Sequence, residues 1–78
     1  MERRRECIEF GGKVRQLREE RGLSQERLGQ IAGLDRTFVS SIEAGRRNVT
    51  LATIIKLAKA LDIDPGELVA GTGGASRD

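Results

Sequence analysis

Residues 22–47, GLSQERLGQIAGLDRTFVSSIEAGRR, constrain the fold of this chain more than any other stretch. They hold two short amphipathic segments separated by Gly-Leu-Asp, which leaves room only for a tight joint. Ser24 is a good helix N-cap, and Glu26 in the first turn opposes the positive helix end. Leu28, Ile31 and Ala32 are expected to form the apolar stripe of this helix. Gly33 stops it, Leu34 plugs the turn, and Asp35 caps a second helix running from Arg36 to Glu43. Val39 and Ile42, three apart, can face a core together, which leaves Arg36, Thr37, Ser40 and Ser41 outside. Gly45 ends this helix, and Arg46, Arg47 and Asn48 make a polar loop. Gly29 lowers helix propensity inside the first segment, so its expected purpose is the close approach of another helix backbone.

The flanks read as packing for that pair. A first helix is predicted from Glu9 to Arg21, with Phe10, Val14 and Leu17 at helical spacing. Gly11 and Gly12 weaken its opening turn, and Gly22 ends it as a left-handed cap. Thr50 caps a fourth helix whose Leu51, Ile54, Ile55, Leu57, Ala58 and Leu61 make a broad apolar surface. A final helix opens on Asp64-Pro65-Gly66-Glu67, with aspartate as N-cap, proline in the first turn and glutamate at the capping-box position. Strand signals and internal repeats are missing, so the predicted class is all-α with five helices. Residues 1–8 are expected to form an N-terminal arm, 9–70 the folded domain with a dimerising last helix, and 71–78 a disordered Gly-rich tail.

Seventy-eight residues allow one small domain with a limited core, near the size where a partner subunit helps. Cys7 is the only cysteine and histidine is absent, which removes an internal disulfide and any ordinary zinc site. A lone cysteine fits a reducing, cytoplasmic compartment, where its ordinary reading is a tolerated residue near a terminus. MERRRECIEF lacks the apolar run of a secretory signal, and no apolar stretch is long enough to span a bilayer. The net charge is only +2, but residues 13–47 carry eight basic against five acidic side chains, and residues 49–70 are slightly acidic. That polarity suits one face turned to phosphate and another turned elsewhere. Arg3, Arg4 and Arg5 can touch a DNA backbone or minor groove, yet the interleaved Glu2, Glu6 and Glu9 favour a plainly solvated segment.

A helix-turn-helix needs a small residue where its helices meet, a glycine to turn, and buried apolar residues on both helices. Gly29, Gly33, Val39 and Ile42 meet each need at the right spacing, with Leu28 and Leu34 also in place. At this point the chain resembles the phage-repressor and Cro-like helix-turn-helix domains. The phrases VRQLREERGLSQERL, AGLDRTFVSSIEAGRRNVTL and LAKALDI carry the likeness over about Phe10 to Val69. DRTFVSSIE, the short length and the lack of a second domain look like controller proteins of restriction-modification systems.

The resemblance implies a five-helix fold that binds operators as a homodimer and, for controllers, regulates its own gene and that of the endonuclease. It implies that Gln25 grips a backbone phosphate and braces the second motif helix. Arg36, Thr37 and Ser41 match positions that touch base edges. Arg47 and Asn48 match loop residues near phosphate or bases, with Arg46 a neighbour; Ser40, outward on the same helix, is expected to contact the DNA backbone. Arg18 and Glu43 match a buried structural ion pair. The chain departs from the family pattern at Gly29, where alanine is commoner, and at Phe38, where tyrosine is frequent.

The residues themselves support parts of this. Arg36 can donate a bidentate pair to guanine, worth about 1–3 kcal/mol of discrimination, and Thr37 can offer a methyl to thymine or a hydroxyl to phosphate. The plain alternative, a solvated arginine beside a cap, stays open, as does ordinary solvent exposure for Ser40 and Ser41. Phe38 can pack on the core or lie beside a thymine methyl or sugar. One recognition helix buries too little surface for tight binding, so a two-fold dimer on half-sites about 34–36 Å apart is expected. Leu61, Ile63, Leu68 and Val69 are its expected interface, against the alternative that they complete the monomer core.

An enzyme is not expected, because no His, nucleophile–base set or phosphate-cradling loop is present. Neither a cofactor, a metal nor a small-molecule ligand is expected. The rival readings are an antitoxin whose main partner is a toxin, or a phage-type repressor. RNA binding is disfavoured, since Phe10 and Phe38 are the only aromatic residues.

Overall fold

Left-handed residues and side-chain caps break the chain into five helices. In the computed structural model, which describes residues 5–72, these are α1 Arg5–Glu20, α2 Gln25–Ala32, α3 Arg36–Glu43, α4 Leu51–Leu61 and α5 Pro65–Val69. Strands are absent among the described residues. Ser24, Asp35, Thr50 and Asp64 each accept, through the side chain, a hydrogen bond from a backbone N–H two or three residues on, as N-caps should. At the end of α1 the Gly22 N–H donates to the Glu19 carbonyl and the Leu23 N–H to the Arg18 carbonyl, a Schellman closure. The same pair of bonds closes α3 around Gly45 and α4 around Asp62. Asp62 holds φ at 59°, a left-handed conformation that aspartate tolerates better than most side chains.

The core gathers one face from every helix: Phe10 and Val14, Leu28 and Ala32, Val39 and Ile42, Leu57, Ala58 and Leu61, and Leu68. Leu17, Leu23, Leu34, Phe38, Val49, Ile54 and Ile63 pack partly buried against it. Helix α1 spans the others, and its Arg21 Nε donates to the Leu61 carbonyl at 2.6 Å. A cation thereby satisfies a carbonyl at the carboxyl end of α4, where the helix dipole favours it.

Four expectations are corrected. Helix α1 begins at Arg5, so residues 5–8 of the expected arm are helical; residues 1–4, including Arg3 and Arg4, and residues 73–78 of the tail lie outside the described residues. The early start has a packing reason, because Ile8 lies directly against Gly45 at the end of α3. Ile31 is 46% exposed, because Leu28, Gly29 and Ala32 already fill the inward arc of the short α2. Leu61 and Leu68 are both fully buried in the monomer core and present no surface to a second subunit. Of the expected interface residues, Ile63 is half-buried and Val69 is 36% exposed.

Gly11 is the fourth. It was expected only to weaken a first turn, but here it sits mid-helix and buried, where a Cβ would fall on the carbonyl oxygen of Ile42. Its neighbour Gly12 faces open space. Gly11→Ala is therefore expected to destabilise the protein by about 1–3 kcal/mol through forced backbone displacement. Gly12→Ala should instead stabilise it by roughly 0.5–1 kcal/mol from helix propensity. Urea unfolding of the two variants checks this, and shifts of the same sign would rule out a contact specific to Gly11.

Candidate nucleic-acid interface

Helix α3 is held from behind and open in front. Its Val39 and Ile42 are buried in the core, while Arg36 and Thr37 at its amino end are exposed and Ser40 and Ser41 are half-exposed. The Asp35 carboxylate accepts from the Thr37 N–H at 3.1 Å, which fixes where the helix starts. The Arg36 side chain makes no hydrogen bond or ion pair among the described residues, so its five donors point to no internal partner.

The carboxyl end of α3 is fixed by a buried charge. The Glu43 side chain is 3% exposed, that of Arg18 11%. Arg18 Nε donates to Glu43 Oε2 at 2.7 Å and Nη2 to Oε1 at 3.1 Å, a two-pronged pair, while Nη1 donates to the Leu23 carbonyl at 2.7 Å. The hydrogen bond to Glu43 raises the Arg18 pKa, against the lowering pull of burial. A raised pKa on a base contributes stability at every pH below its ordinary value, so Arg18 adds no pH dependence in the physiological range.

Gln25, the first residue of α2, joins the same carboxylate: its Nε2 donates to Glu43 Oε1 at 3.0 Å. The expected bracing of α3 by Gln25 is thus a direct bond, and the expected Arg18–Glu43 pair is present. Because one Nε2 hydrogen faces Glu43, the amide is oriented with its second N–H available for another acceptor.

The α2–α3 joint is tight at backbone level. Gly33 takes φ 73°, the Leu34 N–H donates to the Gly29 carbonyl at 2.8 Å, and a Cβ on Gly29 would come within 2.5 Å of the Leu34 carbonyl oxygen. The expected close approach at Gly29 is real, but the neighbour is the turn itself rather than a second helix.

Beyond α3, Gly45 at φ 77° swings the chain aside and exposes Arg46, Arg47 and Asn48. Eight residues at a 1.5 Å rise separate Arg36 from this loop by about 12 Å, comparable to the width of a DNA major groove. The structure also adds a contact that residue spacing did not predict: the Arg47 guanidinium lies over the Phe38 ring, 5.1 Å from its centroid. Phe38 is half-buried and packs against the core with part of its ring exposed.

Among the described residues no cluster of acidic or cysteine side chains could hold a metal, and no helix is long and apolar enough to cross a membrane.

Residues 14–68 match the helix-turn-helix family. The chain is 48% identical over 60 residues to control protein C.SmaI of Serratia marcescens, covering 77% of this chain and 71% of that protein. The crystal structure of the restriction-modification controller protein C.AhdI from Aeromonas hydrophila superposes with a TM-score of 0.78 at 53% identity, covering 80% of this chain and 94% of that one. The biofilm master regulator SinR, solved in complex with DNA, superposes with a TM-score of 0.74 at 30% identity, covering 77% of this chain and 97% of that one.

Removing Glu43 leaves the Arg18 guanidinium buried without its counter-charge. Glu43→Ala is expected to lose about 3–5 kcal/mol of stability. Glu19→Ala, which removes the exposed partner of Arg15 and only a long 4.0 Å contact to Arg18, should change stability by less than about 1 kcal/mol. Thermal melts of both variants test the contrast, and equal losses would contradict a buried, structure-bearing pair.

Proposed function

Because the chain belongs to the helix-turn-helix family and is a DNA-binding transcriptional regulator, we propose that it acts as a homodimer on a two-half-site operator, as a restriction-modification controller. The observation that carries this is the pose of α3. Its apolar face is locked into the core, its carboxyl end is pinned through Glu43, and its Arg36–Thr37 end is exposed and unpaired.

In this reading α3 lies in the major groove. Arg36 donates in a fork to a guanine, and Thr37 and Ser41 read neighbouring base edges. Gln25 offers its second amide N–H to a phosphate, and Ser40, Arg46, Arg47 and Asn48 follow the backbone around it. Phosphate contacts set the register and base contacts set the preference. The likeness to C.SmaI and C.AhdI, both control proteins, supports the controller assignment. SinR supports DNA as the ligand of this fold.

A single short helix supplies too little contact for a specific site, which argues for two copies. With Leu61 and Leu68 committed to the core, the exposed apolar residues Leu51 and Ile55 on α4 and Val69 on α5 form the proposed dimer face, with Ile63 at its edge.

Selection of binding sites from a randomised duplex pool tests the reading, and a two-fold symmetric consensus is expected. Arg36→Ala should flatten the preference at one base per half-site by about 1–3 kcal/mol, whereas Gln25→Ala should weaken all duplexes alike. Equal loss of preference in both variants would refute the division of labour. Val69→Asp should shift the protein to monomer in sedimentation, and an intact dimer would place the interface elsewhere. Affinity should fall steeply between dilute and physiological salt, as counterion release demands.

A further inference from the structure

Arg47 lies in a loop with no helical hydrogen bonds of its own, so its long side chain needs another means of orientation. It forms no ion pair or side-chain hydrogen bond among the described residues. On one flank it borders a shallow groove shared with Glu6, Cys7 and Asn48. On the other, its guanidinium sits 5.1 Å from the centre of the Phe38 ring, within cation–π range. The ring is itself anchored, because Phe38 belongs to α3 and packs half-buried against the core. The two residues thus tie the recognition helix to the loop that follows it.

The geometry points to Phe38 as a positioning residue that acts on DNA through Arg47 and makes no base contact of its own. This rests on the DNA-binding reading above. A guanidinium uses its flat face for an aromatic ring and its edge for in-plane donors. Contact with Phe38 through that face would leave the N–H groups of Arg47 free for phosphate, and the 5.1 Å approach restricts where the head can swing. A lysine there would keep the charge but lose the planar match. The phenol oxygen of a tyrosine adds nothing to the stack, so phenylalanine suffices for this role.

A double-mutant cycle on a mixed-sequence DNA duplex tests the inference, since a phosphate contact needs no particular sequence. Phe38→Leu keeps apolar bulk and removes the ring; it should weaken binding about two- to fivefold, the range of an exposed cation–π contact. Phe38→Tyr should bind as the parent does. Combined with Arg47→Ala, the Phe38→Leu change should produce no further loss. Additive losses, or no loss from Phe38→Leu in a variant whose melt shows it folded, would overturn the inference. The stack is read without DNA by NMR: the Arg47 Nε–H resonance should carry a ring-current shift that Phe38→Leu removes, and its absence in the parent would also overturn it. If the parent shows that shift yet binds no duplex in dilute buffer, the DNA-binding reading fails while the stack stands, and the role of Phe38 in DNA binding falls with it.

Discussion

The carboxylate of Glu43 is where the architecture converges. It is nearly removed from water at the last residue of α3, and a charge in that position is tolerable only if its partners are close and well directed. Arg18 from α1 supplies two donors and Gln25 from α2 a third, so three helices meet on two oxygen atoms. A fourth donor, Arg18 Nη1, closes on the Leu23 carbonyl and holds the α1–α2 joint to the same cluster. None of these groups is replaceable by a looser one without stranding another polar atom. The pair's net worth to stability is less important than the geometry it imposes on α3.

Backbone contact does the remaining positioning. A domain this small has a limited core, and it gains rigidity where main chains approach without side chains between them. Gly11 lets α1 lie on the carbonyl end of α3, and Gly29 lets the turn fold back on α2. Helix α3 is consequently gripped at both ends, through Leu34 and Asp35 at the start and through Ile42 and Glu43 at the finish. Its outward residues inherit that rigidity, whereas Arg46, Arg47 and Asn48 lie beyond the last helical bond. The Phe38–Arg47 stack is the one side-chain link from the anchored helix to this loop among the described residues.

Much of this was legible in the residues. The caps at Ser24, Asp35, Thr50 and Asp64, and the left-handed Gly22, Gly33 and Gly45, are local chemistry, and they divide the chain into five helices as expected. Gly29 announced a close contact because a glycine inside a helix needs a reason. The same argument applied to Gly11 would have found its contact with Ile42, but its place near the expected helix start disguised it. The early start of α1 was hidden for a related reason, since Arg5–Ile8 show little periodicity and gain their order from Gly45 and the groove beside it. Among the site residues, the Arg18–Glu43 pair and the bracing by Gln25 stand in the structure as the family likeness implied.

What the sequence determined alone is therefore the set of elements and the chemistry each carries: helix boundaries, apart from the start of α1, follow from caps and left-handed residues, and the outward set Arg36, Thr37, Ser40 and Ser41 follows from the period of α3. Only the tertiary structure decided which apolar residues were surplus. Leu61, Leu68, Leu51, Ile55 and Val69 all read as one hydrophobic supply, yet the first two are sealed in the core and the others are exposed. Periodicity marks an apolar face but not how many neighbours cover it. That depends on the angle at which α5 folds back under α4 and α1, which no single helix encodes.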